Sequence, residues 1–359
     1  MGAPLTAGIV AATSAGVFAT ATLLLGRRAE RRAPRLGRTI VVDGVPLHVV
    51  DRGDGPPIVF LHGAKGSVYD AVLSIAPALA RGHRVVVFDR PGSGYSGRAG
   101  GRNGAPAVQA EVIHHALREL GVERPVVVAH SAGAPVALAL ALAHPRDVAA
   151  VVTLGGYVFP ARHPGLAPSR LLTLPLLGAL ARWTVVSPVG HLLAGRVLRR
   201  VFAPAPVDPT YARLAAGLAL RPKSMAGDAR DLPDVETGLR TLATRYAGLA
   251  TPVVAVHGLD DHVVGPVQTV RLCDLVPRCD LVLLEGIGHV PHFTAQDAVL
   301  DAVGLAWRRA EASAPGTAGA QPVVGPSIAP RPSPAYTPAL VALGGEPAVP
   351  CTRNPLQRG

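Results

Sequence analysis

The stretch VVVAHSAGAPVALALALAH, Val126 to His144, decides the fold. Four β-branched or small apolar residues lead to His130 and Ser131, and an Ala/Leu-rich run follows. The first part reads as a buried strand and the second as a helix, with a polar hydroxyl at the joint. A sharp strand-to-helix turn exposes such a side chain, and its tightness demands small residues two before and two after. Ala129 and Gly133 occupy those positions. Glycine is commoner at the first, but alanine adds only a methyl group. The competing reading is that Ser131 merely caps the helix.

Outward from this joint, strands and helices alternate. RTIVVDG and VPLHVVDRG read as two strands turning at Asp43–Gly44, PPIVFLHG as a buried strand, and HRVVVFDRPG as another. PAVQAEVIHHALRELG is helical, DVAAVVTLGG a strand, TPVVAVHG a strand and CDLVLLEG a strand. This rhythm predicts an α/β fold, a mostly parallel sheet with helices on both faces. Between Tyr157 and Ala250 it breaks into helix-like pieces with no clear strand, which predicts a helical cap at one end of the sheet.

The domains expected are therefore an N-terminal anchor and basic linker (1–37), a core in two parts (38–156 and 251–313), a helical cap (157–250) and a disordered Pro/Ala/Gly-rich tail (314–359). The anchor is Pro4 to Gly26, which carries no charged side chain and is long enough to span a bilayer. RRAERRAPRLGR follows it. Positive charge after the apolar run, rather than before it, argues for an anchor over a secretory leader and places the catalytic domain on the cytoplasmic side.

The formal charge of +11 suggests nucleic acid, but aromatic residues are only 4% and the arginines are spread along the chain. That is no basic stripe with stacking platforms, and nucleic-acid binding is not expected. The RVLRR run, Arg196 to Arg200, reads as a solvated helix face, with acidic lipid headgroups as the other candidate partner. Cys273, Cys279 and Cys351 show no metal-ligand spacing and read as unpaired thiols of a reducing compartment. Nothing here requires a cofactor or a metal, and the oligomeric state is not legible.

Ligands of parallel sheets bind beyond the carboxyl ends of the strands. The polar residues expected there are His62, Asp89, His130, Ser131, Asp261 and His289. A serine hydroxyl needs a base to take its proton, histidine returns that proton to a leaving group, and a carboxylate fixes the histidine tautomer. The order Ser, Asp, His suits this topology.

With these motifs in order, the sequence from Arg38 to about Ser313 resembles the α/β-hydrolase family. VFLHGAKGS resembles its oxyanion loop, DRPGSGYS its glycine-rich turn, AHSAGA its nucleophile elbow, HGLDDHVV its acid turn and GIGHVPH its histidine turn. The resemblance implies a catalytic triad of Ser131, Asp261 and His289, with oxyanion donors on the backbone of Ala64 and Ala132. Asp260 competes with Asp261, but the family spacing favours Asp261, three after Gly258. His292 is a second candidate base, set aside because the Gly-His turn selects His289. Asp89, His62 and His130 are expected to be scaffold.

Serine at 131 argues against the aspartate-dependent dehalogenases and epoxide hydrolases. The expected activity is a membrane-anchored hydrolase of carboxylic esters with a hydrophobic acyl part, the cap residues Leu171, Leu172, Leu174, Leu176, Leu177 and Trp183 forming an apolar pocket wall. The alternatives are a C–C bond hydrolase of ring-cleavage products, a haloperoxidase- or perhydrolase-like enzyme, and a receptor-like binder with slow turnover.

Overall fold

The computed structural model describes residues 3–98, 104–161 and 166–313. The tail predicted over 314–359 lies outside these. Eight strands form one sheet in the order β1-β2-β4-β3-β5-β6-β7-β8. They are β1 (Arg38–Val42), β2 (Val45–Arg52), β3 (Pro57–Leu61), β4 (Arg84–Phe88), β5 (Val126–His130), β6 (Ala150–Leu154), β7 (Val253–Gly258) and β8 (Cys279–Leu284). β1 and β2 form the expected hairpin, with Asp43 and Gly44 both at positive φ, the requirement of a tight two-residue turn. β1–β2 and β2–β4 are antiparallel, and the five remaining pairings are parallel.

Helices cover both faces, as a parallel sheet with two apolar surfaces requires. Side chains alternate across the sheet with period two. Along β5, Val127 and Ala129 enter one core, with the helices Pro106–Glu119 and Ala134–Ala143. Val126 and Val128 enter the other, with the helix Gln296–Glu311. The strand is therefore apolar throughout, and its only polar residue, His130, stands at the carboxyl end.

Between β6 and β7 the chain forms helices Leu166–Thr173, Pro175–Ala181, Ser187–Phe202, Pro209–Leu214, Ala216–Ala219 and Pro222–Leu242, with no strand among the described residues. A π-helical turn over Arg182–Val186 joins the second and third of these into one continuous rod, Pro175–Phe202.

The N-terminal segment is one helix, Ala3–Arg32, which runs on through the arginines. Its later turns dock on the cap. The Thr22 hydroxyl donates to the Trp183 carbonyl at 2.7 Å, and Glu30 pairs with Arg221 at 2.8 Å. Ala29 and Ala33 are buried, and Tyr69 and Tyr95 donate to the carbonyls of Pro34 and Ala33.

Two expectations are corrected. Cys273 and Cys279 are joined in a disulfide between the Val267–Leu275 helix and β8, rather than being separate thiols. Four of the five cap leucines expected to wall a pocket are solvent-exposed instead, Leu172 alone being half-buried. Leu171, Leu174, Leu176 and Leu177 are 42–84% exposed on the outside of the cap, and Trp183 is also exposed. Their apolar pattern was legible, but hydropathy alone does not say which way a helix faces when a membrane or a partner can stand in for the core.

Candidate active site

Ser131 follows the last residue of β5 with φ +49°, a conformation that L-residues with side chains adopt only at a cost. A short 3-10 turn, Ser131–Gly133, leads into the Ala134–Ala143 helix. Ser131 is thus a strained elbow rather than a helix cap, whose backbone would be extended. Gly133 explains the tightness. A Cβ there would lie 2.5 Å from the Leu61 carbonyl oxygen and 2.8 Å from that of His62, and neither backbone atom can move aside. Ala129 needs no such exemption, because its methyl group points into the core.

The three side chains converge. The Ser131 hydroxyl lies 3.1 Å from His289 Nε2, and His289 Nδ1 lies 2.7 Å from Asp261 Oδ2. The carboxylate on one ring nitrogen fixes the tautomer, with Nδ1 donating and Nε2 free to accept the serine proton. Asp261 is held by its own turn, its Oδ1 accepting from the amides of Val263 and Val264 at 2.7 and 2.9 Å. It is Asp261, and not Asp260, that meets the imidazole. Gly155, at the end of β6 with φ +53°, leaves room for the pair. A Cβ there would stand 3.3 Å from His289 Nδ1 and 3.4 Å from Asp261 Oδ2.

A second histidine, missed in the sequence, reaches the same carboxylate. His257 Nε2 lies 3.1 Å from Asp261 Oδ2 and 2.9 Å from the Val264 carbonyl, while its Nδ1 accepts from Thr269 Oγ1 at 2.6 Å. Burial pushes the Asp261 carboxyl up, but hydrogen bonds from His257 and His289 overcome this and hold it well below the usual carboxylate range. The available signal was a histidine inside a strand otherwise made of valine, alanine and glycine.

The expected oxyanion loop lies against the elbow. A Cβ on Gly63 would come within 3.0 Å of the Ser131 Cβ. Ala64 follows in that loop, and Ala132 is the second residue of the helical turn, where amides have no intrahelical acceptor. The loop is braced by Arg90, a buried side chain 2% exposed that the sequence reading passed over. Its guanidinium donates to the carbonyls of His62 and Gly63 and to Gln109 Oε1, and its amide donates to His62 Nε2. His62 Nδ1 donates in turn to the Gly63 carbonyl. Burial, then the Arg90 charge, pushes His62 down to about 4, so it is a neutral strut.

Asp89 organises the next turn, accepting from the amides of Val68 and Tyr95 and pairing with His48. His130 donates from Nε2 to the His289 carbonyl at 2.9 Å. Burial, followed by the neighbouring His292 and His289, keeps its pKa well below 6.5. His292 is pushed down to about 3, by burial and then by His289, and does not touch Ser131 in the way His289 does. Asp70, His130 and His292 bring donor atoms within 4.8 Å of one another, as do Glu111, His114 and His115, and likewise His114, His144 and Asp147. These groups could hold a cation, and the triad chemistry uses none of them.

Beside the oxyanion loop, a small cleft of about 10 Å³ is lined by Lys65, Gly66, Ser93, Gly94, Leu218, Ala219, Ser224 and Asp228. Core and cap meet across it, and Asp228 Oδ1 accepts from the Lys65 amide at 3.4 Å.

Residues 56–184 match the alpha/beta hydrolase fold family. The chain is 30% identical over 253 residues to the pimeloyl-[acyl-carrier protein] methyl ester esterase of Aeromonas hydrophila, a match covering 67% of this chain and 90% of that protein. The chain belongs to the α/β-hydrolase family. It is 26% identical over 271 residues to the 2-hydroxymuconate semialdehyde hydrolase of Pseudomonas sp. (strain CF600), covering 73% of this chain and 90% of that one. Among solved structures it is similar to an alpha/beta hydrolase fold protein from Burkholderia ambifaria, with a TM-score of 0.64, 23% identity, and coverage of 75% of this chain and 97% of that one. This α/β-hydrolase is accordingly a hydrolytic enzyme by family.

Proposed function

We propose that this chain is a serine hydrolase that cleaves carboxylic esters with a hydrophobic acyl part, tethered to a membrane by its N-terminal helix. The observation that carries the chemistry is the continuous line from Ser131 Oγ through His289 to Asp261. As Ser131 Oγ bonds to the ester carbonyl carbon, its proton passes to His289 Nε2. Asp261 stabilises the imidazolium that results. The carbonyl oxygen takes the negative charge and is held by the amides of Ala64 and Ala132, each typically worth about 3 kcal/mol in the transition state. The alcohol leaves with the proton from His289. Water, losing a proton to the same nitrogen, then attacks the acyl carbon, and Ser131 Oγ leaves with that proton returned from His289, freeing the acid.

The identity to a methyl ester esterase supports the ester reading. The similarity to a 2-hydroxymuconate semialdehyde hydrolase favours a second one, C–C cleavage of a ring-cleavage product by the same triad. For the membrane tether, the support is the uncharged run from Pro4 to Gly26 and the arginines that follow it, which favour the cytoplasmic side. The Cys273–Cys279 disulfide counts against that side, since such bonds are rare in the cytosol.

A fluorophosphonate should label the wild-type protein and leave Ser131→Ala unlabelled. Against p-nitrophenyl esters of rising chain length, turnover should increase from acetyl to medium chains. Turnover of a 2-hydroxy-6-oxo-dienoate with no ester hydrolysed would replace the ester reading by the second one. Absence of both labelling and turnover would leave a binder.

A further inference from the structure

Four of the five cap leucines expected to face the substrate, Leu171, Leu174, Leu176 and Leu177, are exposed instead. Along the Pro175–Phe202 rod, Leu176, Leu180 and Trp183 recur at helical spacing on its first half, and Val185, Val189 and Leu192 on its second. All are exposed, Leu176 and Leu192 by more than 80%. The rod has the length and apolarity of a membrane-crossing helix, with a mean hydropathy of 1.3 and 17% of its most apolar window buried. It is nevertheless tied to the fold along one side. Ser187 Oγ donates to the Leu220 carbonyl, a Cβ on Gly190 would press on Leu220, and Phe202 is buried against Tyr211 and Phe293. A helix fastened in this way lies along a surface and does not cross it.

Two further observations identify that surface. First, the N-terminal helix reaches the rod at Thr22 and Trp183, and it too is exposed and apolar at Val17, Phe18 and Leu24. The patch therefore continues into the segment proposed as the tether. Second, no aspartate or glutamate occurs from Tyr157 to Val207, while Arg196, Arg199 and Arg200 stand exposed at the end of the rod and Arg27, Arg28, Arg31 and Arg32 at the end of the N-terminal helix. Apolar surface edged by arginine, with Glu30, already paired to Arg221, as the one carboxylate on the two helices, complements an anionic bilayer. A second copy of this chain would bring the same positive charge against itself.

We propose that the outer face of the cap docks in the plane of an anionic lipid bilayer, as a second attachment beside the N-terminal helix. This deepens the membrane part of the proposed function and is independent of whether the bond cleaved is an ester. The cap, and the cleft beneath it, would then stand at the lipid interface, and a lipid-derived substrate would reach Ser131 without crossing bulk water.

The test is flotation of the full-length protein with vesicles of phosphatidylcholine alone or mixed with phosphatidylglycerol. Wild type should float with the mixed vesicles and much less with phosphatidylcholine. Leu176→Asp combined with Leu192→Asp, and separately Arg196→Gln with Arg199→Gln and Arg200→Gln, should each reduce partition into the mixed vesicles about tenfold or more, at unchanged melting temperature. The arginine variant gives a second reading should the leucine variant fold poorly. Both cap variants floating as wild type, while Val17→Asp with Leu24→Asp does not, would overturn the cap face and leave the tether standing. Wild type that binds neither vesicle would overturn both. A wild-type dimer that the leucine variant converts to a monomer, with flotation unchanged, would reassign the face to self-association.

Discussion

Within the site, the residue that asks most of its surroundings is Asp261. Its charge is buried, and an ion so placed is tolerated only when its lone pairs are met. Two amides and two histidines meet them. His289 is needed for the chemistry, while His257 touches no reacting atom and is a positioning residue. His257→Leu should leave one carboxylate oxygen short of a donor. The expected loss is roughly 1–3 kcal/mol of stability, measured by denaturant unfolding at pH 7. Because the two histidines hold Asp261 below its ordinary range, its stabilising contribution is present above the unfolded value near 3.8 and is lost only as the pH falls through the lower folded value. The variant should therefore lose stability at a higher pH on acidification than wild type. It should also lower kcat with little change in KM.

Among the elements, the elbow between β5 and its helix depends on how closely it approaches the end of β3. Gly133 meets two carbonyl oxygens of that strand end, at Leu61 and His62. Gly133→Ala should force the turn away from the oxyanion loop. We expect a loss of at least about 2 kcal/mol in thermal or denaturant unfolding and a drop of tenfold or more in the rate of fluorophosphonate labelling at Ser131. The strands, the Ser-Asp-His order and the elbow were all legible, because each imprints a local pattern: alternation of buried side chains, small residues flanking a serine, polar residues where apolar runs stop. The supports were not legible. His257 and Arg90 act through partners distant in the chain, Thr269 and Gln109 among them, and a single histidine in a strand or a single arginine just past one carries no period to read. The direction of the cap was also hidden, since an apolar stripe looks the same whether it faces a core or a bilayer.

Across the whole molecule, core and cap meet at a buried carboxyl. Asp70 accepts a hydrogen bond from Tyr211 of the cap at 3.2 Å and another from the Ser67 amide. Burial raises its pKa to about 7, with those hydrogen bonds and Arg90 pulling the other way. The folded value lies above the unfolded 3.8, so its contribution to stability is full below about pH 4 and lost as the pH rises through about 7. Asp70→Asn should thus gain on wild type as the pH rises, with a difference of roughly 2–4 kcal/mol between pH 4 and pH 8.5, read from melting curves at the two values. The N-terminal helix belongs to the same assembly. Ala29 sits so close to the cap that a Cβ on Gly217 would come within 2.8 Å of its methyl group, and Glu30 neutralises Arg221, itself buried. A shortened chain beginning after Arg32, the usual way to make such a protein easier to handle, would strip a wall from the cap and strand an arginine without its counter-ion. Preparations made that way would report on a damaged lid, so whatever is learned about this enzyme's access to substrate has to come from the chain with its first helix still attached.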